Sequence, residues 1–136
     1  MKKLHVLALT LLIGFAAGAQ SIENSDHSTT GYINQDGTIE NSSHSTQGYI
    51  STTGVIENSS HSTIGYIGSD GTIENESHST VGYVKDDGTV ENSSHSTIGY
   101  ISNDGTVEDS SHSTIGHAGS VKKEWAAVVF FFFRFN

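Results

Sequence analysis

The chain has 136 residues, of which 34% are hydrophobic, and it contains no cysteine. The absence of cysteine excludes a disulfide framework and a thiolate metal site. The formal net charge of −9 at pH 7 argues against nucleic acid as a partner, because an acidic surface repels a phosphate backbone.

Residues 1–19 are predicted to be a cleavable signal peptide. Two lysines precede an apolar stretch at 4–15, which is too short to span a membrane comfortably. The small residues at 17–19 form an A-x-A cleavage site. We therefore expect cleavage near Ala19 and a mature protein that is periplasmic or secreted.

Residues 20–121 are predicted to form one domain made of a repeated 17-residue unit. Period, order and residue types recur together without an insertion. The last unit departs from the pattern after Gly116, and its His117 replaces a tyrosine. The units begin at Ile22, Ile39, Ile56, Ile73, Val90 and Val107.

Each unit is predicted to contain a β-hairpin. In the first, strands at 29–34 and 38–41 flank a Gln-Asp-Gly turn. A three-residue loop with glycine in the left-handed conformation places Ile33 opposite Ile39 on one face. A two-residue loop would put these isoleucines on opposite faces, so burial favours the longer loop. The same register sets Tyr32 opposite Glu40 on the other face.

Single hairpins are marginally stable, so the units must pack on one another, either as an open solenoid or as a closed ring. The chain ends favour the ring. The repeats start with a second-type strand at 22–25 and finish with a first-type strand at 114–118. These two strands can pair and complete a last hairpin, which removes exposed sheet edges.

Three features together resemble the bacterial five-fold β-flower proteins. They are the Ile-Gly-Tyr-Ile…Asp-Gly-Thr core of the unit (64–72 in one copy), the signal peptide, and the closing segment KEWAAVVFFFF at 123–133. The resemblance implies an exported bacterial protein, a ring of β-hairpins and no assigned activity. We therefore expect an all-β closed ring of five or six hairpin petals, six being the number given by counting the terminal half-units.

The C-terminal segment 122–136 is the most apolar part of the mature chain. Its run of valine and phenylalanine predicts a strand that covers the open face of the ring and its isoleucine core. Contact with a membrane or a partner, and self-association through 125–133, are the alternatives.

One histidine recurs in every unit, within Ser-x-His-Ser-Thr. Imidazole is the commonest protein metal ligand, and a ring could bring the copies together around a divalent transition metal if their turns face the centre. Otherwise each histidine is a turn residue copied with its unit. The six are His27, His44, His61, His78, His95 and His112.

One tyrosine recurs on the outer face of the units and could stack on sugar rings, although cross-strand packing explains it equally well. The recurring glutamates, Glu40 among them, are interpreted as residues that keep this face solvated. The tyrosines are Tyr32, Tyr49, Tyr66, Tyr83 and Tyr100.

The pattern as a whole favours a non-enzymatic structural or interaction module that needs no cofactor. Repeats produce equivalent residues, whereas catalysis needs residues in different roles. Two other functions stay open: metal binding through the histidines, and binding of a glycan or another cell-envelope component through the tyrosines.

Overall fold

Twelve antiparallel strands close into a barrel in the computed structural model, which describes residues 18–135. The predicted signal peptide lies outside the described residues, except for its last two positions. The strands are β1 (Gln20–Asn24), β2 (Thr29–Ile33), β3 (Thr38–Asn41), β4 (Thr46–Ile50), β5 (Val55–Asn58), β6 (Thr63–Ile67), β7 (Thr72–Asn75), β8 (Thr80–Val84), β9 (Thr89–Asn92), β10 (Thr97–Ile101), β11 (Thr106–Asp109) and β12 (Thr114–His117).

The predicted hairpin register is confirmed. Ile33 pairs with Ile39 and Tyr32 with Glu40. The amide of Gly37 donates to the carbonyl of Asn34 at 2.9 Å, and Gly37 has a φ of +87°. The three-residue loop therefore points both isoleucines into the barrel, where they are buried.

The histidine segments are also three-residue hairpin loops, and they join the second strand of one petal to the first strand of the next. Neighbouring petals are therefore hydrogen-bonded to each other as well. His44 donates its amide to the carbonyl of Asn41 at 3.0 Å. The Asn41 side-chain oxygen accepts from the amides of Ser43 and Ser45. Asparagine favours such turns because its side chain bonds its own backbone two residues on. The Asp-Gly loops thus lie at one rim of the barrel and the histidine loops at the other.

The ring closes through its terminal strands, as predicted. β1 pairs with β12, with Glu23 opposite His117 and Asn24 opposite Gly116. These two strands form the last of six petals within the described residues, and the sheet has no free edge there.

The prediction of a C-terminal strand was wrong, because the segment is helical. An α-helix, α1 (Lys123–Ala127), continues as a π-helix (Val128–Phe132). Ala126, Ala127 and Val128 are fully buried and belong to the same core as the strand isoleucines and valines. The segment does cover that core, but it does so by filling the barrel.

The size of the ring explains the helix. Twelve strands about 4.8 Å apart enclose a backbone radius of about 9 Å, which leaves room for a helix. A helix also satisfies its own backbone hydrogen bonds, whereas an unpaired strand in the lumen would leave them unmade. No helix of the described residues is long and apolar enough to cross a membrane.

Candidate functional site

The outer wall of five of the six petals carries one tyrosine, one glutamate and one histidine in contact, which we call the Tyr–His–Glu unit. In one petal the rings of Tyr32 and His44 are stacked, with centroids 4.2 Å apart and planes 14° from parallel. Nδ1 of His44 lies 3.1 Å from Oε2 of Glu40. Glu40 and Tyr32 are direct cross-strand neighbours, so the sheet register itself builds the unit.

The unit recurs around the described ring with almost unchanged geometry. Ring centroids are 4.1 to 4.3 Å apart, and the Nδ1–Oε2 distances are 2.9 to 3.1 Å. In the closing petal His117 takes the tyrosine position and stacks on His27 at 4.1 Å. His117 therefore completes the sixth unit. The other four are Tyr49–His61–Glu57, Tyr66–His78–Glu74, Tyr83–His95–Glu91 and Tyr100–His112–Glu108.

The six histidines of the Ser-x-His-Ser-Thr loops have a backbone conformation that favours glycine. Their φ values lie between +60° and +63°, and in the described chain no other non-glycine residue has a positive φ. The equivalent position of the opposite loops is glycine, with Gly37 as an example. The left-handed region costs about 1–2 kcal/mol for a side chain with a Cβ. The imidazole offsets part of this strain through its stack and its hydrogen bond.

The glutamate fixes which imidazole nitrogen faces the solvent. An ionised carboxylate only accepts hydrogen bonds, so Nδ1 of His44 must carry the proton that it donates to Glu40. In the neutral imidazole Nε2 is then an acceptor. The His44 side chain is 62% exposed, whereas that of Glu40 is 19% exposed. With a neutral imidazole, each unit thus presents a hydrogen-bond acceptor at the histidine rim.

Two units differ in their electrostatics. Glu91 is buried and forms an ion pair with Lys85 as well as with His95. The hydrogen bond from Lys85, followed by that from His95, lowers the pKa of Glu91, and the same contact with Glu91 raises the pKa of Lys85. The hydrogen bond from His27 lowers the pKa of Glu23. These contacts keep both glutamates ionised.

The structure places the predicted histidines around the outer rim of the barrel, one in each petal, and they do not converge on its axis. Within residues 18–135 no group of three or more histidine, cysteine, aspartate or glutamate side chains could hold a metal ion. The tyrosines lie outside as expected, but one face of each is covered by an imidazole. The role of the glutamate was missed, although its constant position four residues before each histidine was a usable signal.

One comparison with known proteins, that with family models, agrees with this architecture. A family model described as "5-fold beta-flower protein" matches residues 19–134. The chain belongs to this β-flower family. No curated protein and no solved structure gives a significant match. The family description counts five, whereas this β-flower closes with six hairpin petals within its described residues.

Proposed function

We propose that this β-flower is an exported, non-enzymatic interaction module that binds a hydroxyl-rich glycan of the cell envelope through its histidine rim. The observation that carries the proposal is the ring of six outer units, five Tyr–His–Glu and one His–His–Glu, each with a histidine of positive φ and a largely exposed imidazole. Export rests on the signal-like residues 1–19.

The chemistry of the rim suits a neutral, repetitive partner. A sugar hydroxyl can donate to Nε2, and the exposed edges of the stacked rings offer apolar contact to the sugar ring. Six equivalent weak sites on one rigid ring gain strength from multivalency when the partner is a polymer. Six copies of one residue set in one role also suit binding better than catalysis.

The test is co-sedimentation of the protein with purified cell-wall polysaccharide. The decisive variant replaces all six rim histidines by glycine, because glycine keeps the loop conformation and removes only the imidazole. We expect this variant to lose binding. The matched control changes exposed residues of the opposite rim, Gln35→Ser and Asn103→Ser, and should bind like the unmodified protein. Equal binding by the six-histidine variant would refute the proposal.

Metal binding is the second candidate function, and one observation favours it. A carboxylate on Nδ1 is the arrangement that orients metal-ligating histidines and raises their basicity. Because the described units are separate, a metal ion would have to bridge two chains through their rims. Sedimentation of the protein with Ni²⁺ or Zn²⁺ tests this: metal binding predicts EDTA-reversible dimers that the six-glycine variant cannot form.

A further inference from the structure

The C-terminal phenylalanines lie against the inner wall in register with the repeats. Each packs its ring edge on the glycine of one even-numbered strand from β4 to β12, where an added Cβ would clash with the ring. At Gly48, for example, the added Cβ would lie 2.5 Å from Cδ1 of Phe135. The five described contacts are Phe130 with Gly116, Phe131 with Gly99, Phe132 with Gly82, Phe133 with Gly65 and Phe135 with Gly48.

From Phe130 to Phe133, each successive phenylalanine contacts the glycine of the preceding repeat. The amide of Phe133 donates to the carbonyl of Val128 at 3.0 Å, the five-residue spacing of a π-helix. A π-helix has a wider turn than the 3.6 residues of an α-helix, and so it matches a six-fold wall more closely. Continued backwards by one residue and one repeat, the series places Val129 opposite Gly31, the remaining wall glycine.

At Gly31, unlike at the other five wall glycines, no phenyl ring is among the atoms nearest to an added Cβ, although Phe133 and Phe135 line the space beside it. The atoms nearest to an added Cβ there are backbone atoms of Glu40 and Asn41. Instead, Gly31 and Val129 line one cavity of about 250 Å³, together with Ile22, Ile39 and Phe135. Valine is smaller than phenylalanine, which leaves this sixth ring position open.

Two residues that line the cavity are polar, whereas the equivalent residues of the other repeats are apolar. Thr30 and Gln47 line it, and Thr30 is exposed. In the other four units this position holds isoleucine or valine packed on the core: Ile64, Val81, Ile98 and Ile115. The exposed Arg134 also lines the cavity. Val129, which is smaller than phenylalanine, and the polar residues Thr30 and Gln47 thus line the same cavity.

We propose that this cavity binds a small molecule with one aromatic ring that carries a hydroxyl or carboxylate group. The ring would occupy the position that phenyl rings fill in the other five repeats, and its polar group would face Thr30, Gln47 and Arg134. The volume suits one ring, since an apolar cavity of about 150 Å³ in another protein binds benzene. Glu40 and Asn41 also line the cavity, so it adjoins the unit of His44 and shares no residue with the other five outer units.

The test is calorimetric titration of the purified protein with phenol, benzoate and toluene. We expect phenol or benzoate to bind, and Val129→Phe to weaken that binding at least tenfold while raising the melting temperature. Val129→Ala enlarges the cavity and should still bind. Thr30→Ile with Gln47→Ile should weaken phenol more than toluene. His78→Gly, in an outer unit that shares no residue with the cavity, should leave all three affinities unchanged.

Two results would overturn the proposal. One is the absence of binding by phenol, benzoate and toluene at millimolar concentration. The other is unchanged binding by a folded Val129→Phe variant.

Discussion

The imidazole of His78 lies flat on the ring of Tyr66, with centroids 4.1 Å apart and planes 13° from parallel. Tyr66 lies in β6 and His78 in the loop between β7 and β8, yet the cross-strand pairing of Tyr66 with Glu74 brings them together. This stack holds a solvent-exposed side chain in one orientation.

The stack should contribute measurable coupling. In a double-mutant cycle with Tyr66→Leu and His78→Asn, we expect an interaction energy of about 0.5–1.5 kcal/mol, because stacked aromatic pairs contribute this much beyond their burial. Asparagine is chosen because it tolerates positive φ. Urea unfolding of the four proteins gives the value. Tyr49 with His78, which belong to different units, should show none.

The positive φ of the rim histidines predicts an unusual order of stabilities. His61 has a φ of +60°. His61→Gly should be more stable than His61→Ala by about 1 kcal/mol, since alanine keeps the strain and glycine removes it. The neighbouring Ser60 is not a positive-φ residue, so glycine should be worse than alanine there. Equal stability of the two His61 variants would show that the loop is not strained.

The Asp-Gly loops should make stability depend on acid pH. The Thr38 amide donates to Oδ1 of Asp36 at 2.9 Å, and this hydrogen bond lowers the pKa of Asp36 below its ordinary 3.8. A lowered carboxyl pKa stabilises the fold above the unfolded-state pKa, and this stabilisation is lost as the pH falls through the lower, folded-state pKa. The pKa values of Asp70, Asp87 and Asp104 are lowered by the same contact.

Urea unfolding between pH 2 and 6 tests this dependence. Asp36→Asn should flatten the decline of the unfolding free energy with falling pH. The loop at 52–54 is a built-in control, because Thr53 stands where the others have aspartate and Val55 donates to the Ser51 hydroxyl instead. Thr53→Asp should therefore add acid sensitivity. If the profiles of both variants run parallel to that of the parent protein, the loop carboxylates do not contribute.

The wall glycines under the phenyl rings should not tolerate a methyl group. A Cβ at Gly65 would lie 2.5 Å from the Glu74 carbonyl oxygen and would clash with the ring of Phe133. Gly65→Ala should lower the unfolding free energy by about 1–3 kcal/mol, as overpacking does. Gly68 is the matched control three residues away. It is exposed, and its tightest contact is with the movable Asp70 side chain at 2.8 Å, so Gly68→Ala should be nearly neutral.

The sequence pattern predicted the wall of the barrel well, because each choice there is local. Burial of Ile33 and Ile39 on one face decides the loop length, and the loop length decides the register. Closure of the ring followed from the strand types at the two ends of the repeats. Loop length and register thus depend on residues of a single repeat, and closure depends only on the order of the strand types along the chain.

The interior and the outer units were harder to foresee for physical reasons. A short run such as Val128–Phe133 does not distinguish a helix from a strand by its periodicity. Its conformation depends on the width of the lumen, which no local pattern contains. The stack of His44 on Tyr32 likewise depends on loop geometry, although the Glu–His spacing was visible in every unit.

The pairing of β1 with β12 also bears on how the chain folds. Eleven of the twelve described strand pairings join neighbours in sequence and can form early, with little loop entropy to overcome. The remaining pairing joins Asn24 to Gly116, so it must wait until the rest of the wall exists. The apolar helix needs that wall as its surroundings. Sealing of the ring and entry of the helix are therefore expected to form a single late step. Mutations in the seam between β1 and β12 should then speed unfolding more than they slow folding.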